Sequence, residues 1–205
     1  MTRTARNISF HNSKDAISHL WNEGASLIPT GKKDGKVRLT KPTIRRLPLS
    51  TVLETLQRNG SKTYGICLAK IAVIDIDDKS DELAQLMVKR FGVTPFKVST
   101  PKGLHLYYAY HEKPLINLRS EGYEIDVKVG ATSYVVGPYS IRPDGGTYDF
   151  IGQNFSLNHL PVIQGNFTTL SKKIAAKSLV PEGERNLTLT KKAREYVGYV
   201  NDINE

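Results

Sequence analysis

The stretch KIAVIDIDDKS, residues 70–80, is the most apolar run of the chain, and it ends in clustered acidic residues. Successive side chains of a β-strand point to opposite faces. Asp75 and Asp77 therefore share one face, and Ile74 and Ile76 share the other. This alternation predicts a strand that buries one face and presents two carboxylates on the other.

Two carboxylates on one strand face lie about 7 Å apart and repel each other unless a cation lies between them. Mg²⁺ and Mn²⁺ prefer oxygen ligands and commonly take one to three carboxylates. A third candidate is Asp126, which shares the polar face of YEIDVKVG, residues 123–130, with Lys128. If that strand lies beside the first, Asp126 completes a three-carboxylate metal site. The alternative is that Asp75 and Asp77 merely end a strand.

A second motif, VSTPKGLHLYY, spans residues 98–108. Its STPKG segment is typical of a tight turn in which Pro101 fixes φ and Gly103 can adopt a positive φ. The groups predicted to face one anion are the hydroxyls of Ser99 and Thr100, the amides near Gly103 and the amine of Lys102. His105 follows on a strand, on the face opposite Leu104 and Leu106. A lone strand histidine is commonly structural, but this position between two acidic strands favours a hydrogen bond to phosphate.

The hydrophobic spacing predicts three helices and about seven strand segments. The helices are expected at 13–24, capped by Ser13, at 49–60, and at 80–92, capped by Ser80 and ended by Gly92. The strand segments are 25–29, 63–77 as two short strands or one bent strand, 95–100, 104–110, 123–130, 133–138 and 146–152. This order favours an α+β fold with a mixed or antiparallel sheet. A doubly wound α/β fold is the alternative.

The chain has 205 residues and 39% hydrophobic content, which suits one core domain with an appendage. We expect a catalytic domain at 1–155, a linker at 156–184 and a C-terminal helix at 185–205 that starts a further domain or forms an arm. The sequence lacks both an apolar run of about 18 residues and a secretory signal, so we expect a cytoplasmic protein without a membrane partner. The lone Cys67 is expected to be a core residue, with neither a disulfide nor zinc.

The net charge of +9 is concentrated in the first third of the chain. Residues 1–70 hold 13 Lys/Arg against 4 Asp/Glu, whereas the remainder holds 16 against 16. The densest part, residues 30–46, reads as a Gly- and Pro-punctuated loop. Such a loop suits nucleic acid or a triphosphate, although it could also be simply solvated. The candidate nucleic-acid contacts are Lys32, Lys33, Lys36, Arg38, Lys41, Arg45 and Arg46.

Together these motifs resemble the prim-pol domain of the archaeo-eukaryotic primase superfamily, as found in plasmid and phage replication proteins. The resemblance covers roughly residues 14–152. Its elements are D-x-D at Asp75 and Asp77, T-P-x-G-x-H at 100–105, h-D-h-K/R at 125–128, YVVGP at 134–138 and PDGGTYDF at 143–150.

The resemblance implies an N-terminal αβ unit packed against an RNA-recognition-motif-like half, with the nucleotide in the cleft between them. It implies template-directed transfer of nucleotides from NTPs or dNTPs onto a DNA primer. Carried over by motif, Asp75, Asp77 and Asp126 would hold two Mg²⁺ or Mn²⁺ ions, and His105 would contact the triphosphate. Phosphate contacts would come from Ser99, Thr100, Lys102, Gly103 and Lys128. Further expected partners are a replicative helicase or a C-terminal domain beyond this chain.

Two other functions compete with this one. A phosphatase of the haloacid-dehalogenase type is disfavoured because Lys79 stands where that motif needs Thr or Val. A catalytically inactive, nucleic-acid-binding replication initiator is the main alternative, but three mutually repelling carboxylates bring a pure binding module no benefit.

Overall fold

The computed structural model describes residues 12–33, 36–39, 46–110 and 118–164. Within them lie three α-helices: α1 at Ser13–Asn22, α2 at Leu49–Arg58 and α3 at Asp81–Phe91. Ser80 caps α3 as predicted, since its side chain accepts a hydrogen bond from the Leu83 amide at 3.2 Å. The predicted cap of α1 is wrong by one residue: Asn12 accepts from the Asp15 amide at 3.0 Å.

The described strands form one sheet that is antiparallel at every strand pairing. They are β1 Leu27–Lys33, β2 Lys36–Leu39, β3 Tyr64–Ile76, β4 Lys97–Ser99, β5 Leu104–Ala109, β6 Ile125–Val136, β7 Ser140–Ile141 and β8 Thr147–Phe150. The order is β2-β1-β3-β5-β4-β8-β7, and β6 pairs with the other edge of β3. Helix α3 connects β3 to β4 with β5 between them, which is a split β-α-β unit. The predicted α+β class is confirmed.

Strand β3 is the spine of the sheet and is a single bent strand. Strand β6 follows it along one side, while β1 and β5 share the other side. The register shifts between Leu68 and Val73, and such irregularities bend a strand. The shift also changes which residues of β3 face a given side of the sheet. Even-numbered residues before it, Ile66 and Leu68, and the odd-numbered Val73 after it belong to the same core cluster.

Two core clusters cover the two faces of the sheet. One contains Ile74 and Ile76 together with Leu83, Met87 and Phe91 of α3. The other joins α1 and α2 to β1, the first half of β3, and Tyr107. Asp75 lies on this second face, beyond the part that the apolar cluster occupies. The fold therefore gives one face of β3 an apolar half and a polar half.

The sheet differs from its prediction in several places. Residues 30–46 are not one loop, because β1 and β2 pair antiparallel across Asp34-Gly35, a dipeptide typical of hairpins. The segments 123–130 and 133–138 are one continuous strand, β6. The short β7 was missed by the sequence reasoning.

The packed body continues past residue 155. Glu23 accepts hydrogen bonds from the Ser156 hydroxyl and from the Leu157 amide, the latter at 2.8 Å. Ile163 is buried and its amide donates to the Ala109 carbonyl at 3.0 Å. The packed body thus includes residues 156, 157 and 163. Residues 165–184 of the predicted linker and the predicted helix at 185–205 lie outside the described residues. In the described part of the chain, no helix is long and apolar enough to cross a membrane.

Candidate active site

Three neighbouring strands carry predicted catalytic residues side by side. Asp75 on β3 is the direct cross-strand partner of His105 on β5 and of Asp126 on β6. Directly opposed residues of an antiparallel pair share a face, with Cβ atoms about 4.5–5.5 Å apart. Asp77 follows the end of β3, and its amide donates to the Glu124 carbonyl at 3.1 Å, which extends the pairing with β6. The structure therefore brings the two acidic motifs together, which is the condition for a shared three-carboxylate site.

Two basic side chains lie in the gaps between the carboxylates. Lys128 Nζ is 3.2 Å from Asp75 Oδ2 and 3.0 Å from Asp126 Oδ2. Arg119 holds Asp126 with both Nε and Nη2, the latter at 3.2 Å from Oδ2. Arg119 Nη2 also lies 3.6 Å from Asp77 Oδ2. Each of the three carboxylates thus has a cation of the protein within 3.6 Å.

Sequence reasoning singled out Lys128 but missed Arg119. Arg119 lies on a single 3-10 turn, Leu118–Glu121, that precedes β6 and belongs to none of the recognised motifs. The only signal in the sequence was that Arg119 precedes Asp126 by seven residues. That separation does not predict contact, because the segment between the two residues is irregular.

His105 lies against Asp75. Its Nε2 is 3.1 Å from Asp75 Oδ1, and the ring is almost fully buried. Its Nδ1 and the hydroxyl of Tyr107 are buried without a hydrogen-bond partner among the described residues. The predicted face of His105 is confirmed, but the structure orients its one partnered nitrogen toward a carboxylate.

The charges of this cluster stabilise one another. The hydrogen bond from Arg119 lowers the pKa of Asp126 from 3.8 to about 2, helped by Lys128 and opposed by partial burial. Burial acts to raise the pKa of Asp75, but His105 and Lys128 outweigh it and hold this pKa below its ordinary value. Burial opposes the charged form of Lys128, yet Asp126 and Asp75 raise its pKa. All three groups therefore carry their charges at neutral pH.

The turn before β5 differs from its prediction. The amides of Gly103 and Lys102 donate to Thr100 Oγ1, at 2.9 and 3.3 Å, and so they do not point outward toward an anion. Gly103 does not use its capacity for a positive φ. A Cβ there would lie 2.1 Å from the Ile76 carbonyl oxygen, so glycine is required by close backbone approach. The turn leaves Lys102 exposed and Ser99 half-buried.

The site opens into a cavity of about 770 Å³. It is lined by Asp75, His105, Asp126 and Lys128, and by Tyr148 of β8, whose ring centroid lies 6.0 Å from that of His105. Further β6 residues complete the lining, among them Thr132, Ser133 and Tyr134. This volume falls within the range of ordinary small-ligand pockets.

The predicted nucleic-acid contacts are only partly described. Lys32, Lys33, Lys36 and Arg38 lie on the β1–β2 hairpin, where Lys33 and Lys36 are cross-strand partners. Lys41 and Arg45 lie outside the described residues. The Arg46 guanidinium stacks 3.7 Å over the Trp21 ring and donates a hydrogen bond to the Trp21 carbonyl. Arg46 therefore packs against α1.

The donor set of the site suits a hard divalent cation, because Asp75, Asp77 and Asp126 offer carboxylate oxygens on neighbouring backbone positions. With the side chains as they stand, however, no group of three potential ligands among the described residues is arranged to hold a metal. Lys128 and Arg119 occupy the spaces between the carboxylates. The residues fit a metal by chemistry and charge once these side chains turn away.

Comparisons with known proteins identify the class. The chain belongs to the Prim-Pol family, described as the N-terminal domain of bifunctional DNA primase/polymerase, whose model matches residues 11–163. The matched region contains every residue of the carboxylate cluster.

A likeness was also found to a solved structure, the catalytic domain of the primase RepB′ in complex with initiator DNA. The sequence identity is 11% and the TM-score 0.45, over 95% of this chain and 100% of that chain. The comparison with curated proteins found no match.

Proposed function

We propose that this protein is a template-directed nucleotidyltransferase, a DNA primase/polymerase of a plasmid- or phage-type replication system. The observation that carries the proposal is the direct cross-strand alignment of Asp75 with Asp126 and His105, inside the region matched by the Prim-Pol family. The substrates would be NTPs or dNTPs, and the partner would be a DNA template with its primer.

In the proposed reaction the primer 3′-oxygen forms a bond to the α-phosphorus of the nucleotide, and the bond from that phosphorus to the β-phosphate oxygen breaks. Pyrophosphate leaves, and the 3′-hydroxyl proton passes to solvent. Mg²⁺ or Mn²⁺ held by Asp75, Asp77 and Asp126 would supply Lewis-acid chemistry at the 3′-oxygen and the phosphates.

The protein's own residues would position the substrate and balance its charge. Lys128 is half-buried between Asp75 and Asp126 and can turn its ammonium group toward phosphate oxygens. Lys102, exposed at the turn before β5, would contact the distal phosphates. His105, hydrogen-bonded to Asp75, would hold that carboxylate in a fixed orientation and so act as a positioning residue.

A specific observation also favours the second candidate, a nucleic-acid-binding initiator without catalysis. Lys128 and Arg119 already satisfy the carboxylates, and a protein that had lost its metals would need such internal neutralisation. The two functions differ in whether a divalent cation binds and whether a primer is extended.

The test is extension of a labelled primer on a DNA template, with Mn²⁺ or Mg²⁺ and with NTPs and dNTPs supplied separately. We expect metal-dependent extension by the wild type and a loss of at least about 100-fold in Asp75→Ala/Asp77→Ala. Asp81→Ala, which removes an exposed carboxylate in the first turn of α3, is the matched control and should extend normally. The proposal fails if the wild type neither extends nor starts a primer, yet binds DNA as well as the double variant does.

A further inference from the structure

Arg119 approaches the carboxylate cluster from outside the sheet. It reaches the carboxylates from the 3-10 turn Leu118–Glu121 and bridges two of them, Asp126 and Asp77. Its side chain is 49% exposed, against 33% for Lys128. Its guanidinium can therefore leave the carboxylates by side-chain rotation, without displacing a strand.

The position of Arg119 is the position that a bridging cation would take. Its nitrogens lie 3.2 Å from Asp126 and 3.6 Å from Asp77, so its charge fills the gap between those two carboxylates. A divalent ion shared by Asp77 and Asp126 cannot enter while the guanidinium is there. Protein cation and metal are thus mutually exclusive occupants of one gap.

A displaced Arg119 would have a new partner close by. The planar fork of a guanidinium matches phosphate as well as carboxylate, with two parallel N–H···O bonds. Leu118, next to Arg119, lines the same 770 Å³ cavity as Asp75 and Asp126. A triphosphate bound at the carboxylates would lie within reach of the released side chain.

We propose that Arg119 is an exchangeable resident cation: it holds Asp77 and Asp126 together in the metal-free protein, and when metal and nucleotide bind it transfers to the triphosphate. Only the transfer to the triphosphate rests on the proposed function. It explains why the described residues hold no preformed metal cluster although the donor residues are adjacent. It also assigns a phosphate-binding role to a residue outside the recognised motifs.

The first measurement is calorimetric titration with MnCl₂ alone, without nucleotide or DNA. Removing a competing ion pair at a half-exposed site is expected to tighten Mn²⁺ binding by up to about fivefold in Arg119→Gln. Arg119→Lys should fall between the variant and the wild type, because it keeps the charge but loses the fork. Arg58→Gln, on the exposed surface of α2, removes the same charge elsewhere and should bind Mn²⁺ like the wild type.

Thermal melting provides a readout that does not depend on catalysis. In EDTA, Arg119→Gln should melt at a lower temperature than the wild type, because Asp77 and Asp126 lose their shared cation. Saturating Mn²⁺ should raise its melting temperature by more than it raises that of the wild type. Unchanged or weaker Mn²⁺ binding in Arg119→Gln, with equal Mn²⁺ shifts in melting, would overturn the resident-cation role.

The second measurement is nucleotide dependence at saturating Mn²⁺. We expect the KM for dNTP to rise about tenfold in Arg119→Gln, as for loss of a charge-assisted phosphate contact, with kcat changed much less. An unchanged KM would overturn the transfer to phosphate. Should the wild type show no extension at all, the proposed function fails, while the Mn²⁺ titration and melting still decide the resident-cation role.

Discussion

Replacing Gly103 by alanine should damage both the stability and the activity of this protein. Gly103 lies in the turn between β4 and β5, and a Cβ there would meet three backbone atoms at the end of β3. The distances are 2.1 Å to the Ile76 oxygen, 2.6 Å to the Asp78 oxygen and 2.8 Å to the Asp78 nitrogen. Ordinary contacts begin at 3.4 Å, so these backbones must separate by about 1.3 Å.

The cost of Gly103→Ala depends on the backbone at residues 76–78, which has to move. Neither partner is a flexible side chain, and overpacking of this kind costs about 2–4 kcal/mol of unfolding free energy. The segment that moves carries Asp77, and a misplacement of about 1 Å at a catalytic site can cost about 100-fold in rate. We therefore expect Gly103→Ala to remain folded, if the protein has ordinary stability, but to lose most of the proposed primer-extension activity.

Urea unfolding and primer extension together test this reasoning. The midpoint should fall by about 1–2 M urea. Gly60→Ala is the control, because Gly60 has a φ of +58° but nothing within 4 Å of a Cβ. It should cost only about 1 kcal/mol and leave extension intact. A Gly103→Ala protein with a wild-type midpoint and extension within twofold of wild type would refute the steric argument.

Two further predictions concern the charge cluster. Because the pKa of Asp126 is lowered from 3.8 to about 2 and that of Asp75 is also lowered, these groups contribute stability above pH 4 that is lost as the pH falls toward 2. Urea unfolding across this pH range should show that Asp126→Asn loses less free energy of unfolding than the wild type does. If the free energies of both proteins fell equally with pH, the lowered pKa of Asp126 would be contradicted. Lys128→Met should lower the free energy of unfolding in EDTA by about 1 kcal/mol, because Asp75 and Asp126 then face each other across two strands without a cation between them. Mn²⁺ should restore that loss, and a variant equally stable in EDTA would show that Lys128 does not relieve the repulsion.

Much of the fold could be predicted from local sequence patterns. Alternation along residues 70–80 predicted that Asp75 lies on the face of β3 opposite Ile74 and Ile76, and the burial of these two isoleucines in the other core cluster confirms it. Helical spacing and the caps of α3 were also readable, because a Ser N-cap and a Gly C-cap act within one helical turn. The acidic pair, the glycine turn and His105 were likewise visible from residue types and spacing alone.

Other features depended on contacts between distant segments. The parity change in β3 between Leu68 and Val73 arises from its pairing with β6, and alternation read along one strand does not reveal it. The need for glycine at 103 comes from the backbone of residues 76–78, and so the sequence suggested the right residue for the wrong reason.

The sequence by itself determined the chemistry that this protein carries: carboxylates alternating on a buried strand, a second acidic strand and a basic N-terminal third. Only the tertiary structure decided how those charges are balanced. Arg119 and Lys128 lie between the carboxylates because the 3-10 turn and β6 are folded against β3. Electrostatic pairing depends on distance in space, which separation along the chain does not fix for residues on different strands.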